Sequence, residues 1–180
     1  MPISADIQKI VEAGCKAPSG GNSQPWRFEV YKNQQINVIA LPEKDHKILN
    51  FHFRGTWIAH GALLENILIA GSSLGYKTTF KIFPDSFRSN LTLQINLEKS
   101  SPINEPLYST IGLRATNRKR YKRDQLSSVQ KETLLEVERE IADVKIKILE
   151  DQEKLEVLGV ALSNNEVVML ENKLLHKIFF

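Results

Sequence analysis

The segment from Thr56 to Leu74 is apolar around most of a helical circumference, and it constrains the fold more than any other part of the chain. Its apolar residues are Trp57, Ile58, Ala62, Leu63, Leu64, Ile67, Leu68, Ile69 and Leu74. A helix that is apolar nearly all round must be covered on several sides, and Gly75 suits the left-handed residue that ends it. We expect a long buried central helix that forms part of a subunit interface, where the small residues Ala59 and Gly61 allow close approach.

Regular patterns on both sides of this helix predict an α+β fold. Apolar and polar residues alternate in several short runs, as in half-buried strands, while Ser4 and Ser127 stand where helix N-caps belong. The expected strands are 28–30, 36–40, 80–82, 91–97 and 144–148, and the expected helices begin at Ser4, at Ser127 and near Asp151. We expect a mixed, mostly antiparallel sheet flanked by helices, within a single domain over residues 1–180.

Composition and the single cysteine narrow the class of protein. The 180 residues are 42% hydrophobic, which is enough for one globular core. One cysteine, Cys15, excludes an internal disulfide, and no apolar leader opens the chain, so a reducing cytoplasm is expected. The longest apolar stretch, residues 57–70, is interrupted by His60, Glu65 and Asn66. It is too short and too polar for a bilayer span, and no membrane role is expected.

Positive charge is concentrated between Arg114 and Arg123, a run with six basic residues and no acidic one. The rest of the chain is therefore net acidic, although the whole carries +3. Such a run suits a phosphate site, a nucleic-acid surface or a solvated segment. Because Tyr121 is its only aromatic residue and no nucleic-acid-binding module is recognisable, nucleic acid is the least favoured partner.

A loop of small residues, Ala17 to Pro25, joins the first expected helix to the first expected strand. Two adjacent glycines permit a close backbone approach to a ligand, and Asn22 and Gln24 add amide donors and acceptors. The loop is therefore either a rigid ligand cradle or an ordinary turn, since the same residue types dominate turns.

Three segments of the chain resemble the nitroreductase family, whose members hold FMN at a dimer interface. Pro-Ser-Gly-Gly-Asn-Ser-Gln-Pro-Trp-Arg-Phe, residues 18–28, resembles the flavin-binding loop of that family. Arg-Ala-Thr-Asn-Arg, residues 114–118, is similar to a segment of a branch associated with adenylyltransferase-like domains, and residues 53–62 add to the likeness. The resemblance implies a nitroreductase-like fold, and the uncapped end at Phe180 suggests that the domain lacks its C-terminal part.

The resemblance assigns cofactor contacts to the loop. It implies that Pro18, Ser19 and Gly20 line the flavin, with Asn22 and Gln24 hydrogen-bonding nearby.

Arginines are the candidate contacts for the flavin phosphate, because a guanidinium donates paired charge-assisted hydrogen bonds. They are Arg54, Arg114 and Arg118, whose alternative role is solvation or ion pairing. Residues 1–4 depart from the family, since they lack the arginines with which many nitroreductases begin.

The reaction implied is FMN-dependent transfer of hydride or electrons from NAD(P)H to a flat, electron-poor small molecule such as a nitroaromatic or a quinone. A homodimer is the expected assembly. The alternative is a non-catalytic or partner-dependent flavin-binding module. The sequence identifies no catalytic residue, which suits a reaction whose chemistry belongs to the cofactor.

The four histidines are dispersed along the chain, and no metal site is predicted. A lone histidine in an apolar helix, such as His60, is more often a hydrogen-bonded core residue than a catalyst. His46, beside Asp45, is interpreted as half of a surface charge pair.

Overall fold

A computed structural model describes residues 3–32, 34–45, 50–120, 122, 124–141 and 144–179. The chain forms two compact units, Met1–Asn117 and Arg118–Phe180. No helix in the described part of the chain is long and apolar enough to cross a bilayer.

The described residues of the first unit form the α-helices α1 (Ala5–Cys15) and α2 (Arg54–Ser73) and the single turn α3 (Tyr108–Ile111). The hydroxyl of Ser4 accepts the Ile7 N–H at 3.3 Å and so caps α1, as its sequence predicts. Helix α2 ends before Gly75, whose φ of +77° is the left-handed conformation that its sequence position suggests.

Four strands form one sheet: β1 (Trp26–Val30), β2 (Gln35–Ala40), β3 (Tyr76–Ile82) and β4 (Leu91–Lys99). Their order is β1-β2-β4-β3, and every neighbouring pair is antiparallel. The register places Val38 opposite Phe28 on one side and Leu93 on the other. Residues directly opposite each other share a face of the sheet, so these three side chains form one apolar row. The four strands expected in this part of the sequence and the α+β class are confirmed.

Helices α1 and α2 cover the apolar face of the sheet. Ile10 of α1, Ile67 of α2 and Ile95 of β4 are all completely buried in one core cluster. The central helix is not covered all round by its own unit, because Ile58 on its outer side is 75% exposed.

The second unit contains α4 (Ser128–Glu140), α5 (Gln152–Glu171) and α6 (Lys173–Phe179). Ser127 and Gln130 form the predicted capping box at the start of α4. The last helical region is two helices, since α5 ends at Glu171 and α6 follows Asn172.

The predicted strand at residues 144–148 is wrong. This segment has no regular secondary structure, and the backbone N–H of Ile146 donates to the Glu138 carboxylate at 3.2 Å. An alternating pattern becomes a strand only beside another strand, and the described part of this unit contains none.

Replacing Ile67 by Ala should lower the free energy of unfolding by about 2–5 kcal/mol, because it opens a cavity between α1, α2 and the sheet. Ile103→Ala is the matched control, since Ile103 is 63% exposed in the same unit. Urea unfolding followed by circular dichroism measures both. Equal midpoints for the two variants would contradict this account of the core.

Candidate functional site

The loop between α1 and β1 has an unusual backbone that suits close approach of a ligand. Gly21, Asn22 and Gln24 have φ values of 56°, 58° and 46°, so three of its residues are left-handed. The Ser19 hydroxyl accepts the backbone N–H of Gln24 at 2.9 Å and fastens the loop across its base. A Cβ added at Gly20 or Gly21 would meet no atom of the described residues within 4 Å, so the backbone of both glycines is open on that side among the described residues.

The predicted loop contacts are accessible to a ligand. Pro18, Gly20 and Asn22 are exposed, and Ser19 and Gln24 are half-buried. The structure therefore presents all five on one short segment.

A cleft of about 350 Å³ lies beside this loop and brings Asn22, Gln24 and Arg114 together. Lys16 also lines the cleft, and none of the described residues that line it carries a carboxylate. The cations are Lys16 and Arg114, and the amides are Asn22 and Gln24. Together these four side chains form an environment suited to an anion. Sequence reasoning missed Lys16. The signal that could have found it was its position, between the end of the first helix and the loop.

The polar residues of the cleft also bind the carbonyl end of α1. Gln24 Nε2 donates to the Cys15 carbonyl and Arg114 Nη2 to the Lys16 carbonyl, each at 3.3 Å. These bonds satisfy backbone acceptors that a helix end leaves free, and they fix both side chains at the edge of the cleft. Burial, and secondarily the charge of Glu12, raises the pKa of the Cys15 thiol, which therefore stays protonated near neutral pH.

The other two candidate arginines do not line this cleft. Arg54, at the start of α2, is exposed and lies 5.9 Å from the Phe51 ring centroid. Arg118 is exposed and belongs to the second unit. Their roles as flavin contacts stay predictions.

Sequence reasoning named Asp45 only as the neighbour of His46 in a surface charge pair and missed its hydrogen-bonding role. Its carboxylate accepts hydrogen bonds from the side chains of Ser23, Asn50 and Thr56. The predicted partner His46 lies outside the described residues. Asp45 is thus part of a polar network that includes Ser23 of the loop. In the sequence, its position shortly after a strand was the one indication of such a role.

His60 is a buried, hydrogen-bonded residue, as the sequence favours. It is 3% exposed, and its Nδ1 lies 2.9 Å from the Thr56 carbonyl oxygen. A carbonyl can only accept, so Nδ1 carries the proton. Nε2 has no hydrogen-bond partner in the described part of the chain. The rings of Trp26 and Trp57 each lie 6.0 Å away, and Trp26, 6% exposed, anchors the loop's end in the core.

An aromatic cluster on the outer side of α2 is formed by Trp57, Phe83 and Phe87. Trp57 lies 5.2 Å from Phe83 and 5.8 Å from Phe87, measured between ring centroids. Phe87 is 66% exposed, so the cluster reaches the surface. Within the described ranges, no group of three His, Cys, Asp or Glu residues is placed to hold a metal ion.

Comparison with known proteins supports the resemblance of the loop to the nitroreductase family. A family model described as "Putative TM nitroreductase" matches residues 2–53. The chain is also 30% identical over 112 residues to the uncharacterized protein MT1398 of Mycobacterium tuberculosis (strain CDC 1551 / Oshkosh). That match covers 61% of this chain and only 15% of the relative's length.

Solved structures with partial similarity carry related descriptions. A "putative nitroreductase in complex with FMN" from Desulfovibrio desulfuricans is 21% identical, with 61% of this chain and 84% of that chain covered and a TM-score of 0.43. A "Putative NADH Oxidase" from Clostridium acetobutylicum is 19% identical, with 58% and 80% covered and a TM-score of 0.41. Because both TM-scores are below 0.5, the α+β class is assigned from this chain's own helices and antiparallel sheet. The family model confirms the nitroreductase resemblance for residues 2–53.

The buried state of His60 predicts a pH dependence of stability. Burial lowers its pKa, while the Thr56 hydrogen bond and the charge of Asp45 act in the opposite direction. The unfolded chain therefore takes up this proton at a higher pH than the folded chain. Stability is fully present above the unfolded pKa of about 6.5 and is lost as the pH falls from there towards the folded value.

We expect the free energy of unfolding of the wild type to fall below about pH 6.5 with a His60 contribution of at most about 1.4 kcal/mol per pH unit. His60→Phe should lack this contribution, and His52→Phe, which alters an exposed histidine, should retain it. Urea titrations across this pH range measure the slopes. Identical slopes for wild type and His60→Phe would refute the assignment.

Proposed function

We propose that this chain, whose residues 2–53 carry the nitroreductase family's sequence pattern, is an FMN-binding oxidoreductase. In this proposal NAD(P)H is the reductant, and a flat, electron-poor small molecule such as a nitroaromatic or a quinone is the acceptor. The observation that carries the proposal is the open glycine backbone of the loop beside a cleft lined by cations and amides.

The residues present fit the chemical groups of FMN. Backbone at Gly20 and Gly21 is open to a flat ring or a sugar-like chain, because no atom of the residues that the structure describes occupies the space a Cβ would take. Asn22 can supply amide hydrogen bonds from its exposed position. Lys16 and Arg114 supply positive charge for a phosphate within the same cleft.

Further contacts complete the proposed cofactor site. Pro18 and Ser19 line the flavin on the loop side, and Gln24 contributes its amide oxygen while its nitrogen is bonded to the Cys15 carbonyl. Arg54 is proposed as an additional phosphate or flavin contact.

The protein's part in the reaction is to bind and orient. When bound, FMN supplies the redox chemistry, accepting a hydride and passing electrons on. The cleft offers no activated nucleophile, since the Cys15 thiol has a raised pKa. Its lysine and arginine hold an anion, and the fastened loop limits the orientations available to a bound ligand.

The alternative is a flavin-binding module that is non-catalytic or depends on a partner. The chain matches only 15% of the length of its Mycobacterium relative, so a site completed by other protein segments is consistent with the match. Reduction of the bound flavin by NAD(P)H separates the enzyme from this alternative.

A homodimer is proposed from the outer stripe of α2. Ile58 is 75% exposed there, and a Cβ at Gly61 would meet nothing within 4 Å. The neighbouring aromatic cluster of Trp57, Phe83 and Phe87 continues this apolar surface. Exposed apolar surface next to a small residue suits a second copy of the helix and a flavin shared between subunits.

The double substitution Gly20→Val and Asn22→Ala should weaken FMN binding at least about tenfold, because it fills the open space at the glycine and removes an amide contact. Flavin fluorescence titration measures the dissociation constant, and anaerobic addition of NADH or NADPH tests for bleaching of flavin absorbance. Asn90→Ala, an exposed asparagine away from the loop, is the control.

Unchanged FMN affinity in the folded double variant would refute the loop as the cofactor site. Tight FMN binding without bleaching by either nicotinamide would favour the binding module over the enzyme.

Ile58→Glu should shift the protein from dimer to monomer, because it places a charge in the apolar stripe of α2. Sedimentation velocity at micromolar concentration measures the assembly, with the exposed Ile103→Glu as control. A flavin-loaded wild-type monomer under these conditions would rule out the shared site.

A further inference from the structure

Three segments of the first unit converge on the carboxylate of Asp45. The Ser23 hydroxyl, from the glycine loop, donates to Oδ1 at 3.1 Å. Asn50 Nδ2 donates to Oδ2 at 2.8 Å, and the Thr56 hydroxyl, in the first turn of α2, donates to the same oxygen. One side chain therefore connects the loop to the start of the central helix.

The helix side of this connection is firmly held. Thr56 is 2% exposed, and its carbonyl bonds the buried His60 ring. The side-chain oxygen of Asn50 accepts the backbone N–H of Gly55 at 2.8 Å and so satisfies a donor at the start of α2. Asp45 is thus attached to a rigid element.

The loop side is less constrained by packing. Glycines 20 and 21 have no protein atoms near the positions of a Cβ. Asn22 and Gln24 are non-glycine residues in the left-handed region, and such conformations need surrounding contacts to persist. A hydrogen bond from Ser23 to a fixed carboxylate supplies such a contact.

We infer that Asp45 is a positioning residue that holds the 19–24 loop in its ligand-binding conformation against the first turn of α2. The link to FMN rests on the proposed function. A carboxylate suits this place because three donors point at it and an ionised carboxylate only accepts. Alanine at position 45 would remove both acceptor oxygens and so break the connection to Ser23, whereas an asparagine NH₂ group could still donate to the Ser23 hydroxyl.

The loop's mobility tests this role without any ligand. In the FMN-free protein, Asp45→Ala and Ser23→Ala should each speed amide hydrogen exchange of residues 20–24 by about tenfold, the effect of losing one charge-assisted hydrogen bond. Exchange in β4 should stay at its wild-type rate. Asp85→Ala, which removes an exposed carboxylate in another loop, is the matched control.

Binding provides the second measurement. The same two variants should raise the FMN dissociation constant about fivefold to tenfold, since a loosened loop must be ordered at the moment of binding. The combined variant Ser23→Ala with Asp45→Ala should bind FMN and exchange no differently from Asp45→Ala alone, because both substitutions remove the same hydrogen bond.

Unchanged loop exchange in folded Asp45→Ala would overturn the inference, and so would additive effects in the double variant. If Asp45→Ala does not fold, the loop exchange of Ser23→Ala alone tests the inference. A wild type that binds no FMN would defeat the proposed function, while the exchange rates would still decide whether Asp45 positions the loop.

Discussion

The close packing of α1 on α2 is the contact on which the rest of the first unit depends. A Cβ at Gly14 would lie 3.0 Å from Ile67 Cγ1, so a larger residue could not be placed there without displacing α2. Asn66 Nδ2 of α2 donates to the Ala13 carbonyl at 3.0 Å, which pins the end of α1. The 17–25 loop begins at that end of α1, so its position is set by a contact between two helices.

The candidate site combines two fixed attachments of the loop with an open stretch of backbone between them. Gln24 and Arg114 are bonded to the last carbonyls of α1, and Asp45 connects Ser23 to α2. Between these attachments the two glycines expose their backbone. Such an arrangement orders a ligand-facing loop before the ligand arrives, which reduces the entropy cost of binding.

Charge around this site comes from different parts of the sequence. Lys16 follows α1, whereas Arg114 lies far along the chain after α3. The basic run that the sequence presents as one block is divided at residue 117 between two units. The number of charges in the run therefore describes the segment alone, because Arg114 is the one arginine of its described residues that lines the cleft.

Short-range physics explains what the sequence determined by itself. The cap at Ser4, the left-handed Gly75 and the capping box at Ser127 each depend on residues within a few positions. The four strands of the sheet and the central helix follow from the period of their apolar residues in the same way. Local patterns also indicated the loop, because adjacent glycines and paired amides are visible without a fold.

Tertiary structure decided the outcomes that require a distant partner. Residues 144–148 alternate like a strand but have no neighbouring strand in the described part of their unit. Ile58 belongs to an apolar pattern yet is exposed, because α1 and the sheet cover the other side of its helix. Asp45 resembles a surface carboxylate until Ser23 and Thr56 are brought to it. Spacing along the sequence does not predict these contacts, since they form only when separate elements pack against each other.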